Sequence, residues 1–294
     1  TAYEIGVRLV GSEMCIRDRS KVNYSNTFGQ VRMWDTLIYN NLLRKNIVIP
    51  PKVHSSKATQ FEGAYVKDPQ NGSHDWVVSF DLNSLYPHII MQYNISPEKM
   101  IKGDLMTLNI DKLLNREHDL SELKDNNCTV TPNGVKFSRE RQGFLPELME
   151  KFYEERKEWK GKMIQYQIEN ESCKDPARKR ELQRLIKRAY NNQQVRKIAL
   201  NSAYGALANQ YFAFFDPNLA EAITMSGQLI IKTAENTINY YMNKILNTDD
   251  EDYVIAMYTD SIYVSFDKMV QKVFPKATPK NKIVDFLDNV GQDK

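Results

Sequence analysis

The chain has 294 residues, enough to bury a sizeable core in one or two domains. Forty Lys plus Arg against 37 Asp plus Glu leave a net charge of only +3, so any nucleic-acid argument must rest on where the cations sit and not on bulk charge. No run approaches the roughly 18 apolar residues of a membrane span, no basic-then-apolar leader opens the chain, and Cys15, Cys128 and Cys173 form neither an even set nor a metal-ligand spacing. The expectation is therefore a soluble intracellular protein with free thiols, without a disulfide framework, a zinc site or a membrane anchor.

No internal repeat or low-complexity tract interrupts the chain. Its first segment, Val-Gly-Ser-Glu-Met-Cys-Ile-Arg-Asp-Arg at 10–19, resembles translated sequencing-adaptor read-through, so 1–19 is set aside as non-native. Residues 20–52 are expected to be a linker from a preceding region, with 46–66, broken by Pro50-Pro51 and Gly63, leading into a β element. Trp76–Phe80 is a short β-branched, apolar run ending at Asp81, and Ser84 onward reads as helix to about Tyr93. Turn clusters fill 104–143, and Pro132-Asn133-Gly134 signals a hairpin leading into Val-Lys-Phe.

From Pro146 to about Glu171, and again from Asp175-Pro176 to about Asn209, the residues are long-chained, charged and helix-forming, with Asp175 placed as a cap. Two such helices joined by a short turn make an antiparallel arm of roughly 40 Å. Asp216-Pro217-Asn218 opens a further helix to about Leu246, and Tyr253–Met257 and Ile262–Phe266 read as strands flanking a tight turn. The expected class is α+β: a small antiparallel sheet with helices on one face and a helical hairpin projecting from it. The chain ends at Asp-Asn-Val-Gly-Gln-Asp-Lys without a helix stop signal, which reads as cut.

Asp81 and Asp260 stand at the ends of β runs about 180 residues apart. Strand ends hold carboxylates rigidly and open to a ligand, which suits hard divalent cations whose remaining ligands are water and phosphate oxygens. Taken from spacing alone, Asp81 as a helix cap and Asp260 as a turn residue is the more economical account. On the helical arm Arg156 and Lys160 are four apart and share a face, as do Lys197, Asn201 and Tyr204 on the second helix. Such faces could converge on one polyanion, although basic helix faces are more often simply solvated.

Three ordered motifs decide between these accounts. Asp81-Leu82-Asn83-Ser84-Leu85-Tyr86-Pro87, Lys197-x-x-x-Asn201-Ser202-x-Tyr204-Gly205 and Thr259-Asp260-Ser261-Ile262-Tyr263 resemble motifs A, B and C of family B DNA polymerases. Trp34-Asp35, Asn94-Ile95-Ser96-Pro97-Glu98 and Gly205-Ala206-Leu207 are similar to the enzymes of T-even-type bacteriophages. The resemblance covers nearly everything from Ser20 onward. It implies a polymerase palm at 53–142 and 210–294, a fingers domain at 143–209, and a missing thumb and exonuclease region.

The resemblance further implies that Asp81 and Asp260 ligate two Mg²⁺ ions, for which Mn²⁺ can substitute, with the Leu82 carbonyl joining the coordination. Ser84, Leu85, Tyr86, Arg156, Lys160, Lys197 and Asn201 would hold the nucleotide, and the Tyr86 ring would exclude a 2′-OH. Tyr204 and Gly205 would pack near the nascent base pair, and Gly63-Ala64, within Phe61-Glu62-Gly63-Ala64, would contact the template. The implied partners are primer-template DNA, deoxynucleoside triphosphates and, through the missing regions, a sliding clamp, in the cytoplasm of an infected bacterium. Phe61 stands where the family has Tyr. One departure lies inside motif C: where the family reads Tyr-Gly-Asp-Thr-Asp-Ser, this chain reads Ala256-Met257-Tyr258-Thr259-Asp260-Ser261, so Tyr258 replaces the first acid. The expected effect is a weakened or altered metal preference, or, in the alternative, a nucleotide-binding module without chemistry.

Overall fold

The computed structural model describes residues 22, 29–49, 51, 61–123, 126–275 and 278–292. The expectations for 1–19, Cys15 and Pro50 lie outside them. In chain order the elements are α1 (Gln30–Arg44), β1 (Val77–Asp81), α2 (Leu85–Tyr93), α3 (Ile110–Leu114), β2 (Cys128–Val130), β3 (Lys136–Ser138), α4 (Phe144–Ser172), α5 (Pro176–Leu207), α6 (Pro217–Leu246), β4 (Val254–Tyr258), β5 (Ser261–Ser265), α7 (Asp267–Val273) and α8 (Lys280–Gln292). The class is α+β.

The central sheet is antiparallel in the order β1-β5-β4, with Asp81 opposite Ser261 and Tyr258 opposite Ser261 on the other side. Alternation sorts its two faces. Val78, Phe80, Ile262 and Val264 point into a core shared with α6, α7 and α8. Ser79, Asp81, Ser261 and Tyr263 point the other way, where no helix covers them fully.

The arm forms as its composition predicts. Asp175 caps α5 by accepting the N–H groups of Ala177 and Arg178, with Pro176 in the first turn, and Arg178 ties the tip of α5 to Glu169 of α4 at 2.7 Å. Nearer the base, buried Arg196 of α5 donates to Glu155 of α4 at 2.8 Å and to the Asn192 carbonyl at 2.7 Å. Helices of 29 and 32 residues give a hairpin about 45 Å long at 1.5 Å per residue. The second predicted hairpin also forms, as β2–β3, and needs Gly134 at its turn. The φ there is +84°, and a Cβ would sit 2.0 Å from the Met106 carbonyl oxygen.

Part of the stretch expected as a linker differs. Residues 30–44 are a helix whose Trp34, Ile38 and Leu42, spaced by four, are buried in the larger core. Trp34 donates its indole N–H to Ser202 of α5 at 3.0 Å and meets Phe152 of α4 edge-on at 5.9 Å, so α1 staples the base of the arm. That apolar period was visible in the sequence, and tertiary packing makes a helix of it.

Candidate active site

Both carboxylates are placed by the sheet. Asp81 is the last residue of β1, and Thr259-Asp260 forms the two-residue turn between β4 and β5. The Leu82 N–H donates to the Asp260 carbonyl at 2.7 Å, locking the strand exit of β1 to that turn, and Ser261 Oγ lies 3.4 Å from Asp81 Oδ1. Two acids distant in sequence thus occupy adjacent strand ends on rigid backbone. Among the described residues no group of three or more His, Cys, Asp or Glu gathers in one place. A pair of carboxylates is nonetheless the donor set that suits Mg²⁺, which keeps several waters and completes its shell with phosphate oxygens.

Between strand and helix the chain turns sharply at Ser84, whose φ of 54° and ψ of 46° are left-handed for a non-glycine residue. Its hydroxyl accepts from Arg156 Nη1 at 3.1 Å, which joins the palm to α4. Arg156 Nε is buried with no hydrogen-bond partner. A buried guanidinium N–H in that condition fits an anion seated beside it. Asp81, Ser84, Leu85, Tyr86, Arg156, Lys197, Asn201 and Asp260 together line a cavity of about 490 Å³, with acids on the palm wall and cations on the arm wall.

Tyr86 forms the floor. Its ring meets that of Tyr204 at 4.8 Å, and burial, with smaller contributions from Tyr204 and Asp260, pushes its pKa up to about 12, so it stays a neutral phenol at any working pH. Beneath it lies Gly227 of α6, where a Cβ would come within 3.1 Å of Tyr86 Cε1.

Four expected residues lie elsewhere. Lys160, one turn beyond Arg156, is exposed and outside the cavity lining. Gly205 is turned toward α1, where a Cβ would meet Gln30 Oε1 at 2.9 Å. Gly63 and Ala64 sit on an exposed strap bound to α6: the Glu62 carbonyl accepts from Thr224 at 2.7 Å and the Gly63 carbonyl from Gln228 at 2.7 Å. Nothing lies within 4 Å of a Cβ built on Gly63, so crowding does not require glycine there. Sequence reasoning missed Gly227, Thr224 and Gln228. Their signal was a polar, glycine-containing interruption in the otherwise apolar period of α6.

Comparison with known proteins decides the family. The description "DNA polymerase family B" matches residues 24–280. The chain belongs to family B of the DNA polymerases. The DNA-directed DNA polymerases of Enterobacteria phage T4 and Escherichia phage RB69 are each 32% identical over 94% of this chain and 34% of their own length. The DNA polymerase delta catalytic subunit of Drosophila melanogaster is 27% identical over 78% of this chain and 20% of its own. The chain therefore spans about a third of the length of its phage relatives. Among solved structures, the family B DNA polymerase of the hyperthermophilic archaeon Pyrobaculum calidifontis superposes with a TM-score of 0.59 at 20% identity, covering 91% of this chain and 30% of that one, a likeness of fold. No described helix is long and apolar enough to cross a membrane.

Proposed function

We propose that this family B chain forms the palm (53–142 and 210–294) and fingers (143–209) of a template-directed DNA polymerase. It adds deoxynucleotides to a primer 3′-OH with release of pyrophosphate, in replication of a phage genome within the cytoplasm of an infected bacterium. The observation that carries the reading is the cavity whose one wall is the Asp81 and Asp260 pair and whose other wall is Arg156, Lys197 and Asn201. Its substrates are primer-template DNA and deoxynucleoside triphosphates, and a sliding clamp would engage through regions beyond this chain.

Asp81 and Asp260, with the Leu82 carbonyl, would hold two Mg²⁺ ions, or Mn²⁺ in their place. Bound there, the ions activate the attacking hydroxyl and stabilise the leaving oxygen of an in-line phosphoryl displacement. The protein's own groups do the rest. Arg156 offers its free N–H edge to the triphosphate, and Lys197 adds a compact charge that favours pyrophosphate departure. Ser84 keeps the Arg156 guanidinium aimed. Tyr86, neutral and backed by Tyr204 and α6, presents a fixed ring under the sugar, where a 2′-OH would collide. Lys160 lies one turn too far out to reach the same anion, so its part requires the arm to tilt toward the palm as substrate binds. Tyr204 and Gly205 would pack near the new base pair, and the Gly63-Ala64 strap would lie along the template.

Primer extension with deoxy- and ribonucleotides in Mg²⁺ or Mn²⁺ tests this reading. Templated extension with deoxynucleotides only, lost by at least about a thousandfold in Asp260→Ala, is expected. Equal extension by that variant would remove the site assignment. The replacement of the first motif C acid by Tyr258 motivates a second reading, a module that binds nucleotide without chemistry. On that reading the unmutated protein binds triphosphate without extending a primer, and Tyr258→Asp starts synthesis.

A further inference from the structure

Tyr258 occupies a definite place on the open face of the sheet. Asp81, Ser261 and Tyr258 are directly opposed across three adjacent strands, so their side chains share one face and the Tyr258 Cα lies about 10 Å from that of Asp81 at the usual strand spacing. The next row down carries Ser79 and Tyr263. Tyr258 is 46% exposed, and its ring stands edge-on to Tyr263 at 6.0 Å and 90°. Around them the face offers small hydroxyls, Ser79, Ser261 and Ser265. The result is a shallow platform with a propped aromatic at its rim, on a sheet whose other face is fully committed to the core.

Where this platform lies relative to the cavity sets what it would meet. Arg156 and Lys197 mark the end of the cavity that takes the leaving phosphates, and Tyr258 is absent from the cavity's lining. In an in-line displacement the attacking hydroxyl arrives from the side opposite the leaving group. The strand that bears it must then lie over the carboxylates from the other side, across the open sheet face. An acid at position 258 would repel the phosphates of that strand, whereas a half-exposed ring offers a π-face to a base or sugar.

We propose that Tyr258, propped by Tyr263, seats the terminal nucleotide of the primer, so that the residue that departs from motif C serves strand positioning and not metal binding. This rests on the polymerase reading. The experiment measures the affinity of primer-template DNA by fluorescence anisotropy without nucleotide or divalent metal, in a protein carrying this chain at the full length of its relatives. Tyr258→Phe should bind within about twofold of the unmutated protein, and Tyr258→Ala about tenfold more weakly, the scale of one lost base-aromatic stack. Tyr258→Asp should be weaker still. A primer with an abasic 3′-terminal nucleotide should erase the difference between the unmutated protein and Tyr258→Ala, which a general loss of structure would not do. In steady-state extension the primer KM should rise in Tyr258→Ala while the nucleotide KM moves by less than about twofold.

Equal binding by Tyr258→Ala, or tighter binding together with higher metal affinity in Tyr258→Asp, would overturn the proposal. If the unmutated protein failed to extend any primer, the polymerase reading would fall. The abasic comparison would still decide whether Tyr258 seats a strand end.

Discussion

Gly227→Ala separates the positioning of the Tyr86 ring from the stability of the fold. The new methyl would lie 3.1 Å from Tyr86 Cε1, 3.7 Å from Ile89 Cδ1 and 3.8 Å from Leu85 Cδ2. Only the first contact is too close, so the ring must retreat from α6 by a few tenths of an ångström. Two stability effects nearly cancel: alanine in a helix interior gains about 1 kcal/mol over glycine, and overpacking costs about 1–3 kcal/mol. The expected change in thermal midpoint is a fall of no more than about 5 °C. Catalysis has no such offset, because a misplacement of about 1 Å can cost about a hundredfold. We expect the deoxynucleotide KM to rise about tenfold, read by single-nucleotide extension at fixed primer-template. In Tyr86→Ala, which removes the ring, adding Gly227→Ala should cost nothing further, a coupling visible in a double-mutant cycle. A nucleotide KM within twofold of the unmutated protein, or additive losses in the cycle, would refute the account of Gly227 as the ring's clearance.

Arg156→Ala removes the buried, unpartnered N–H edge and its bond to Ser84, and should raise the nucleotide KM about tenfold to a hundredfold. Lys160→Ala should leave the nucleotide affinity of the open state nearly unchanged, and a fluorescence pair spanning the arm and the sheet would show any effect only in the closing step. The folded-state pKa of Tyr86 lies above its unfolded value of 10.0 at about 12. The stability tied to its neutral phenol is therefore fully present below pH 10 and lost as pH rises toward 12. The difference in phenolate absorbance between the unmutated protein and Tyr86→Phe should place one tyrosine titrating near 12, and a value near 10 would contradict the burial argument. Arg196→Ala removes a fully buried guanidinium together with its bonds to Glu155 and to the Asn192 carbonyl. The expected cost is about 3 kcal/mol, seen as a lowered midpoint of thermal unfolding.

The parts of this molecule that were legible in the sequence are those governed by local rules. The arm was legible because Asp175-Pro176 is a cap and first helical residue in two positions and because long charged side chains tolerate a helix that is exposed for most of its length. The strand ends were legible because an apolar β-branched run stops at Asp81 and because two apolar runs flank the short turn that holds Asp260. Helix α1 was not, although Trp34, Ile38 and Leu42 share one face, because what makes it a helix is the hollow at the base of the arm that Trp34 fills. The proximity of Asp81 to Asp260 came from motif order and not from any local signal; in space it is fixed by the pairing of Asp81 with Ser261 and by one backbone hydrogen bond from Leu82. Lys160 was placed by helical spacing, which gives a shared face but not how far along the helix the cavity extends, and Gly205 by its position in the motif that resembles motif B, which does not say which way it faces.

Helix α6 shows why the least regular stretch of a pattern carries the site. Its first turns, with Leu219, Ala222 and Ile223, belong to the core beneath the arm, and its later turns, with Ile231 and Met242, belong to the core beneath the sheet. A helix that only joined two cores would stay apolar between them. Instead, Thr224, Ser226, Gly227 and Gln228 are buried at the crossing. Thr224 and Gln228 donate to the backbone of the 62–63 strap, and Gly227 lacks the Cβ that would crowd Tyr86 Cε1. Buried polar groups and a helix-interior glycine each cost stability by themselves. Within these five residues Thr224 and Gln228 hold the strap on one side and Gly227 makes room for the Tyr86 ring on the other, while the Ser226 hydroxyl is buried without a hydrogen-bond partner.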